Sequence, residues 1–399
     1  MSCLEKRVSH LDKKSCNMTT LEFEDIRPYY EEEIPAAMQR IACSEEFPLL
    51  ASYVFPDRTT EEVRQEVMGY KTIREFQLGV MYHANKQILR RSSTGLTYSG
   101  IERLSPKNNY LFVSNHRDIM LDASLMQNIL TDNGFDTCYI TFGENLMRGQ
   151  LVIDVGKSNK MFKVARPGAN AREFYRNSLI LSQYIRQVIM EERQSIWIAQ
   201  RNGRTKNGID RTDQGIIKMF GMSKTKDRIT SLAELNIVPV AISYEWESCD
   251  ILKAIELHER RKGPYTKRPG EDLNSIFTGI TQQKGRIHLS FCEPITATHL
   301  QKLPNGTANE FHKQMARLLD QRICSAYHLF PNNFVAHDLL HESNVYRQMY
   351  TVEEKETFVR HMSELNRYKD NYDLQVLREI FLGIYANPID SKSLFNHDT

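Results

Sequence analysis

His116 lies in the run Leu111-Phe112-Val113-Ser114-Asn115-His116-Arg117-Asp118-Ile119-Met120-Leu121-Asp122, and this arrangement can make a general base. The apolar start predicts a buried strand. The polar turn Ser114-Asn115 then delivers the imidazole to the rim of a sheet, and a helical segment carries Asp118 and Asp122 back past it. An imidazole accepts a proton near neutral pH, while a carboxylate on its other ring nitrogen fixes the tautomer and steadies the imidazolium. A loop histidine capped by local acids is the plainer reading of the same residues.

A second cluster suits an anion. After the run Ser195-Ile196-Trp197-Ile198-Ala199 comes Gln200-Arg201-Asn202-Gly203-Arg204-Thr205-Lys206-Asn207-Gly208, which places Arg201, Arg204 and Lys206 among turn formers and glycines. Glycine lets backbone N–H groups approach an anion, and arginine offers phosphate a bidentate fork. Upstream, Met161-Phe162-Lys163-Val164-Ala165-Arg166 ends a predicted strand in Arg166. Two arginine-bearing strand ends and one histidine-bearing strand end suggest a phosphorylated substrate held beside a base. Solvated turn cations are the alternative.

The elements that must position these groups follow from the apolar pattern. Short β-rich runs at 110–113, 137–142, 161–165, 195–199, 237–242 and 286–291 alternate with helical stretches. That alternation predicts an α/β fold with a largely parallel sheet flanked by helices, where ligand sites collect at the C-terminal ends of strands. Residues 1–20 form a polar, unpatterned extension and 21–94 a helical N-terminal region. Within that region Thr59-Thr60-Glu61-Glu62 caps a long segment that ends near Arg90-Arg91. Residues 95–300 form the α/β domain. Residues 301–399 form a helical C-terminal region with segments near 306–328, 334–344, 352–368 and 373–385. The stretch 258–270 is a basic loop broken by Pro and Gly, with His258, Arg260, Arg261, Lys262, Lys267 and Arg268 around Tyr265.

Composition narrows the classes. In 399 residues, 41% hydrophobic and 26% charged, a sizeable core is expected and global disorder is excluded. A net charge of +2 argues against a nucleic-acid partner. The seven scattered cysteines make no C-x-x-C pair, and no secretory or membrane-spanning apolar run occurs, so a cytoplasmic, reducing setting is expected. Three partial motifs fail. His116-Arg117-Asp118 lacks the later asparagine of a kinase loop, where Ala123 stands. Gly156-Lys157-Ser158 lacks the opening glycine of a P-loop, where Leu151 stands. His337-Asp338-Leu339-Leu340-His341 has a zinc-like i, i+4 histidine pair but no third ligand, so no metal site is expected.

In order, these features resemble the glycerophospholipid acyltransferase family, which acylates glycerol-3-phosphate and lysophosphatidic acid. Four blocks over about 95–295 carry the resemblance. They are Asn115-His116 with a downstream Asp, the strand 161–166 ending in Arg166, Gly203-Arg204-Thr205-Lys206-Asn207-Gly208, and Val238-Pro239-Val240. Two departures stand out. The family places four residues between His and Asp; Asp122 leaves five and Asp118 one, and on a regular helix one extra residue turns the carboxylate by about 100°. The family's third-block Glu is absent, with Asn202 before Gly203.

The resemblance implies an O-acyltransferase in which His116 is the general base oriented by Asp122, with Asp118 as second candidate. Arg166, Arg201, Gly203, Arg204 and Lys206 would bind the acceptor phosphate. The donor would be an acyl-CoA or acyl carrier protein thioester, with no bound cofactor. A lysophospholipid or glycerol phosphate would be the acceptor, met at a peripheral membrane surface on the inner face; residues 21–93 and the loop 258–270 are the candidate docking surfaces. Two further readings are an acyltransferase for a non-glycerophosphate acceptor, such as an N-acyl amino-acid lipid, and a non-catalytic lipid- or anion-binding protein.

Overall fold

Seven strands carry the α/β pattern in the computed structural model, which describes residues 23–165, 170–223, 227–304 and 306–396. They are β1 Gly95–Ser99, β2 Leu111–Ser114, β3 Tyr139–Gly143, β4 Met161–Val164, β5 Ile196–Ala199, β6 Ile237–Tyr244 and β7 Arg286–Phe291. The chain divides into two units. The larger comprises the described parts of 84–137, 197–218 and 226–399; the smaller comprises those of 1–83, 138–196 and 219–225.

In the larger unit the strand order is β1-β7-β6-β2, with β5 following β2. β1 pairs with β7 and β2 with β6 in parallel, while β6 and β7 run antiparallel. β2 and β6 are buried along their whole lengths, as expected of strands covered on both faces. Pro239, which lacks an N–H, stands opposite Val113 in this pairing. The helix Leu121–Asp132 follows β2 and is buried along most of its length. A cluster including Val335, Phe358, Leu377, Phe381 and Tyr385 joins the helices Pro331–Leu340, Val352–Met362 and Leu374–Asn396.

The smaller unit pairs β3 with β4 in parallel. Its N-terminal helices pack around Ile34, Met38, Phe47, Val63, Val67 and Phe76. Asp154, fully buried, fastens the helix Ile34–Ala42 by accepting from Arg40 Nε and Nη2 at 2.9 and 2.6 Å and from Tyr29 OH at 2.7 Å.

Several sequence expectations are corrected. The segment from Thr59 to Arg91 is not one helix. It breaks after Gly69 and restarts at Thr72, where a second capping box with Glu75 forms, then passes through a π turn at Gln77–Met81 into Tyr82–Ser92. β1 is an added strand. The helix predicted at 334–344 spans Pro331–Leu340. Within the zinc-like pentad, Asp338 accepts from Ser343 Oγ, Tyr350 OH and the Tyr346 N–H, so its carboxylate ties down the turn that follows.

Candidate active site

The strand β2 ends at Ser114, and Asn115 continues its pairing with a side chain. Asn115 Nδ2 donates to the Ile242 carbonyl at 3.0 Å and its Oδ1 accepts from the Ile242 N–H at 2.7 Å. A primary amide carries the donor and acceptor of a peptide, so it can satisfy β6 while the main chain turns away. His116 is thereby placed at the C-terminal end of the strand.

Asp122 is the carboxylate that reaches His116. Its Oδ2 lies 2.9 Å from His116 Nδ1 and also accepts from the N–H groups of Arg117 and Asp118, at 2.6 and 3.0 Å. Its Oδ1 accepts from Tyr244 OH at 2.9 Å. A carboxylate with four donors on it presents an acceptor to the imidazole, so Nδ1 carries the proton and Nε2 is left as the basic nitrogen. Burial and the neighbouring Asp122 and Asp118 push the Tyr244 hydroxyl well above its usual value, so it stays a donor. The Trp197 ring lies edge-on to the imidazole at 5.8 Å and donates from Nε1 to Ser114 Oγ. Residues 117–120 are not helical and the helix opens only at Leu121. The 100° helical argument therefore does not govern the spacing, because the turn absorbs the extra residue.

Asp118 sits elsewhere. Its Oδ1 accepts from the Met120 and Leu121 N–H groups, both at 2.8 Å, and its Oδ2 from Ser248 Oγ. It caps the incoming helix. We therefore expect Asp118→Asn to lower the melting temperature and Asp122→Asn to lower turnover. The reverse pattern in paired melting and rate measurements would exchange their roles.

The third-block loop is fastened to the histidine turn. The Thr205 N–H donates to the His116 carbonyl at 2.7 Å, and Thr205 Oγ1 donates to Asp210 Oδ1 at 2.6 Å. Asp210 Oδ2 in turn accepts from Asn115 Nδ2 and Arg117 Nη2, at 3.0 and 2.6 Å. Arg117 is wholly buried and reaches Glu247 Oε2 at 3.2 Å; Lys253 Nζ bridges Glu247 Oε1 at 2.6 Å and the Arg117 carbonyl at 2.8 Å. Burial opposes the guanidinium charge, but Asp210, Tyr327 and Glu247 outweigh it and hold Arg117 well above its usual range. Two buried cations face two buried carboxylates, so the network is balanced. The Glu247 N–H donates to Tyr385 OH, which donates to Asp250 Oδ2, whose other partner is His361 Nε2 at 2.7 Å. The C-terminal helices are thus bonded to the network.

The predicted anion-binding residues divide. Arg204 Nη1 and Arg201 Nε are buried and make no hydrogen bond. Arg204 lines a cavity of about 380 Å³ with Lys253, Tyr265, Asn274, Ser275 and Tyr372. Gly203 has the left-handed φ of 72° that glycine tolerates, with open space where a Cβ would stand. Lys206 is not a free cation: it pairs with Glu256, which also holds Arg260. Burial, then Arg204, Lys267, Arg260 and Lys253 around it, push Lys206 down to about 7. Arg166 lies outside the described residues. Sequence reasoning missed Tyr244, Asp210, Glu247 and Lys253. Only Asp210 carried a signal, as an acid two residues beyond Gly208.

Residues 95–243 match the family model described as Acyltransferase. The chain carries an acyltransferase-family domain. All four blocks lie within the matched stretch, whereas Glu247, Lys253, Glu256 and His361 lie beyond it. Among solved structures, the 1-acyl-sn-glycerophosphate (LPA) acyltransferase PlsC from Thermotoga maritima is similar at 14% identity with a TM-score of 0.34, over 72% of this chain and 91% of that one. No curated protein matches the chain significantly.

Proposed function

We propose that the acyltransferase domain transfers a fatty acyl group from a thioester, carried by coenzyme A or acyl carrier protein, to a hydroxyl of glycerol-3-phosphate or lysophosphatidic acid. The observation that carries this reading is His116 locked through Nδ1 onto a saturated, buried Asp122, with Nε2 as its basic nitrogen. His116 Nε2 takes the proton of the acceptor hydroxyl as its oxygen attacks the thioester carbonyl carbon. The tetrahedral intermediate then collapses, the C–S bond breaks, and the proton on Nε2 passes to the departing thiolate. Asp122 holds the ring and stabilises the imidazolium throughout. Base catalysis of this kind contributes about 10²–10⁴ in rate; positioning of the two substrates supplies much of the rest.

Arg204 supports the choice of a phosphorylated acceptor. Its buried, unpartnered Nη1 has donor capacity to spend on an anion, and Gly203 leaves the backbone beside it accessible. Lys206, committed to Glu256, holds the loop in place in this reading. Arg204→Ala should raise the acceptor KM by the loss of one charge-assisted contact, about 1.5–3 kcal/mol, and leave the donor KM nearly unchanged. A change confined to donor saturation would assign the loop to the donor's phosphates.

Among the described residues no helix is long and apolar enough to cross a membrane, so a lipid acceptor would be met at a surface. The deciding experiment is a matrix of acceptors (glycerol-3-phosphate, lysophosphatidic acid, an amino-acid lipid) against both thioester donors, read by mass spectrometry. Product with the phosphorylated acceptors is the expected result. Acylation of the amino-acid lipid alone would replace the acceptor class, and binding without product would make the protein a lipid-binding module.

A further inference from the structure

The segment 258–270 is not the free cationic loop its sequence suggests: His258, Glu259 and Arg260 end the helix Asp250–Arg260, and most of its charges are paired. His258 is buried, Arg260 pairs with Glu256, Lys267 with Asp272 and Arg268 with Glu259. Only Arg261 and Lys262 are exposed cations that pair with no carboxylate among the described residues. They precede the helix Glu271–Thr281, which turns Ser275 and Gly279 inward and leaves Leu273 57% and Phe277 60% exposed, one turn apart on its outer face. Asn274 and Ser275 of the same helix line the cavity that holds Arg204.

From this arrangement we infer that Leu273 and Phe277 are the wedge by which the protein docks on an anionic lipid surface, with Arg261 and Lys262 as its electrostatic anchor. The inference rests on the proposed lipid acceptor. Exposed large apolar side chains on a helix that follows a segment with exposed, unpaired cations are what an interface of acyl chains and anionic head groups accommodates. Glu271 and Asp272, which open the same helix, are taken up by Tyr265 and the Arg268 N–H and by Lys267. Val345, Met349 and Val352, 74%, 51% and 49% exposed, form a second exposed apolar group of this unit and serve as the control. Docking through the wedge would bring the cavity wall, and Arg204 with it, to the surface where a lysophospholipid head group lies.

The test is co-sedimentation of the full chain with equimolar phosphatidylcholine–phosphatidylglycerol vesicles and with phosphatidylcholine vesicles. The double variant Leu273→Asp/Phe277→Asp should lose at least about tenfold in binding to the mixed vesicles, while Val345→Asp/Met349→Asp binds like the parent. Arg261→Glu/Lys262→Glu should lose about tenfold or more on mixed vesicles and little on phosphatidylcholine. All three should keep the parent's turnover on a water-soluble short-chain acceptor. Equal sedimentation of the wedge variant and the parent would overturn the inference. So would a parent that stays in the supernatant, or one that dimerises through this face without vesicles. Absence of soluble turnover in every form would instead fail the proposed reaction, and sedimentation would still be read.

Discussion

His116→Ala should remove acyl transfer while leaving the protein folded. The imidazole is partly exposed, and its one hydrogen bond to the rest of the described chain is that to Asp122. Asp122 keeps three donors without it, so no buried carboxylate is orphaned and the stability cost should be small. Turnover should fall by about 10²–10⁴, the usual contribution of a positioned general base, with the acceptor KM nearly constant. Single-turnover rates and a thermal melt on the same preparation check both halves. A variant that turns over at the parental rate would end the assignment of His116 as the base.

The largest stability effect is expected at Arg117, whose side chain is not assigned to the chemistry. Arg117→Met should cost about 3–5 kcal/mol, because removing one member of a buried ionic group leaves uncompensated charge. Asp210 would lose its only cationic partner in the network and Glu247 one of two. The proper comparison is Arg268→Met, which breaks a pair 73% and 23% exposed and should cost no more than about 1 kcal/mol. Denaturant midpoints of the two variants measure the difference. If they match, the Arg117 network does not close the histidine turn onto the third-block loop.

Much of this fold was legible because buried strands announce themselves. The runs predicted near 111, 139, 161, 196, 237 and 286 all form strands, since each is a short apolar segment between turn formers. β1 was silent for the opposite reason: Gly95-Leu96-Thr97-Tyr98-Ser99 is mostly exposed, so burial leaves no mark on its composition. The break at Tyr70 could have been found, because Thr72 and Glu75 repeat the capping signature read at Thr59 and Glu62. The site was half legible. His116 and Asp122 are near in sequence, and their motif selects few geometries. Arg117, Asp210 and the Glu247–Lys253 pair are far apart in sequence, and singly each charged residue looks like surface; only the chain's return brings them together. In the segment 258–270 the sequence shows the cations but not the carboxylates that Lys267 and Arg268 meet; only the Glu256–Arg260 pair, at i, i+4, is visible there.

The seal around Asp122 has a consequence for traffic through the histidine. With four donors fixed on the carboxylate and no exposed surface, a proton reaching Nδ1 has no onward route on that side. In the proposed reaction the imidazole therefore has one door: the proton enters and leaves at Nε2, and in one catalytic cycle it is the acceptor's own proton that departs on the thiol. A histidine open at both nitrogens could empty itself to solvent between attack and collapse and let the thiolate leave unprotonated. This one is built as a cul-de-sac, which ties the second half of the reaction to the first.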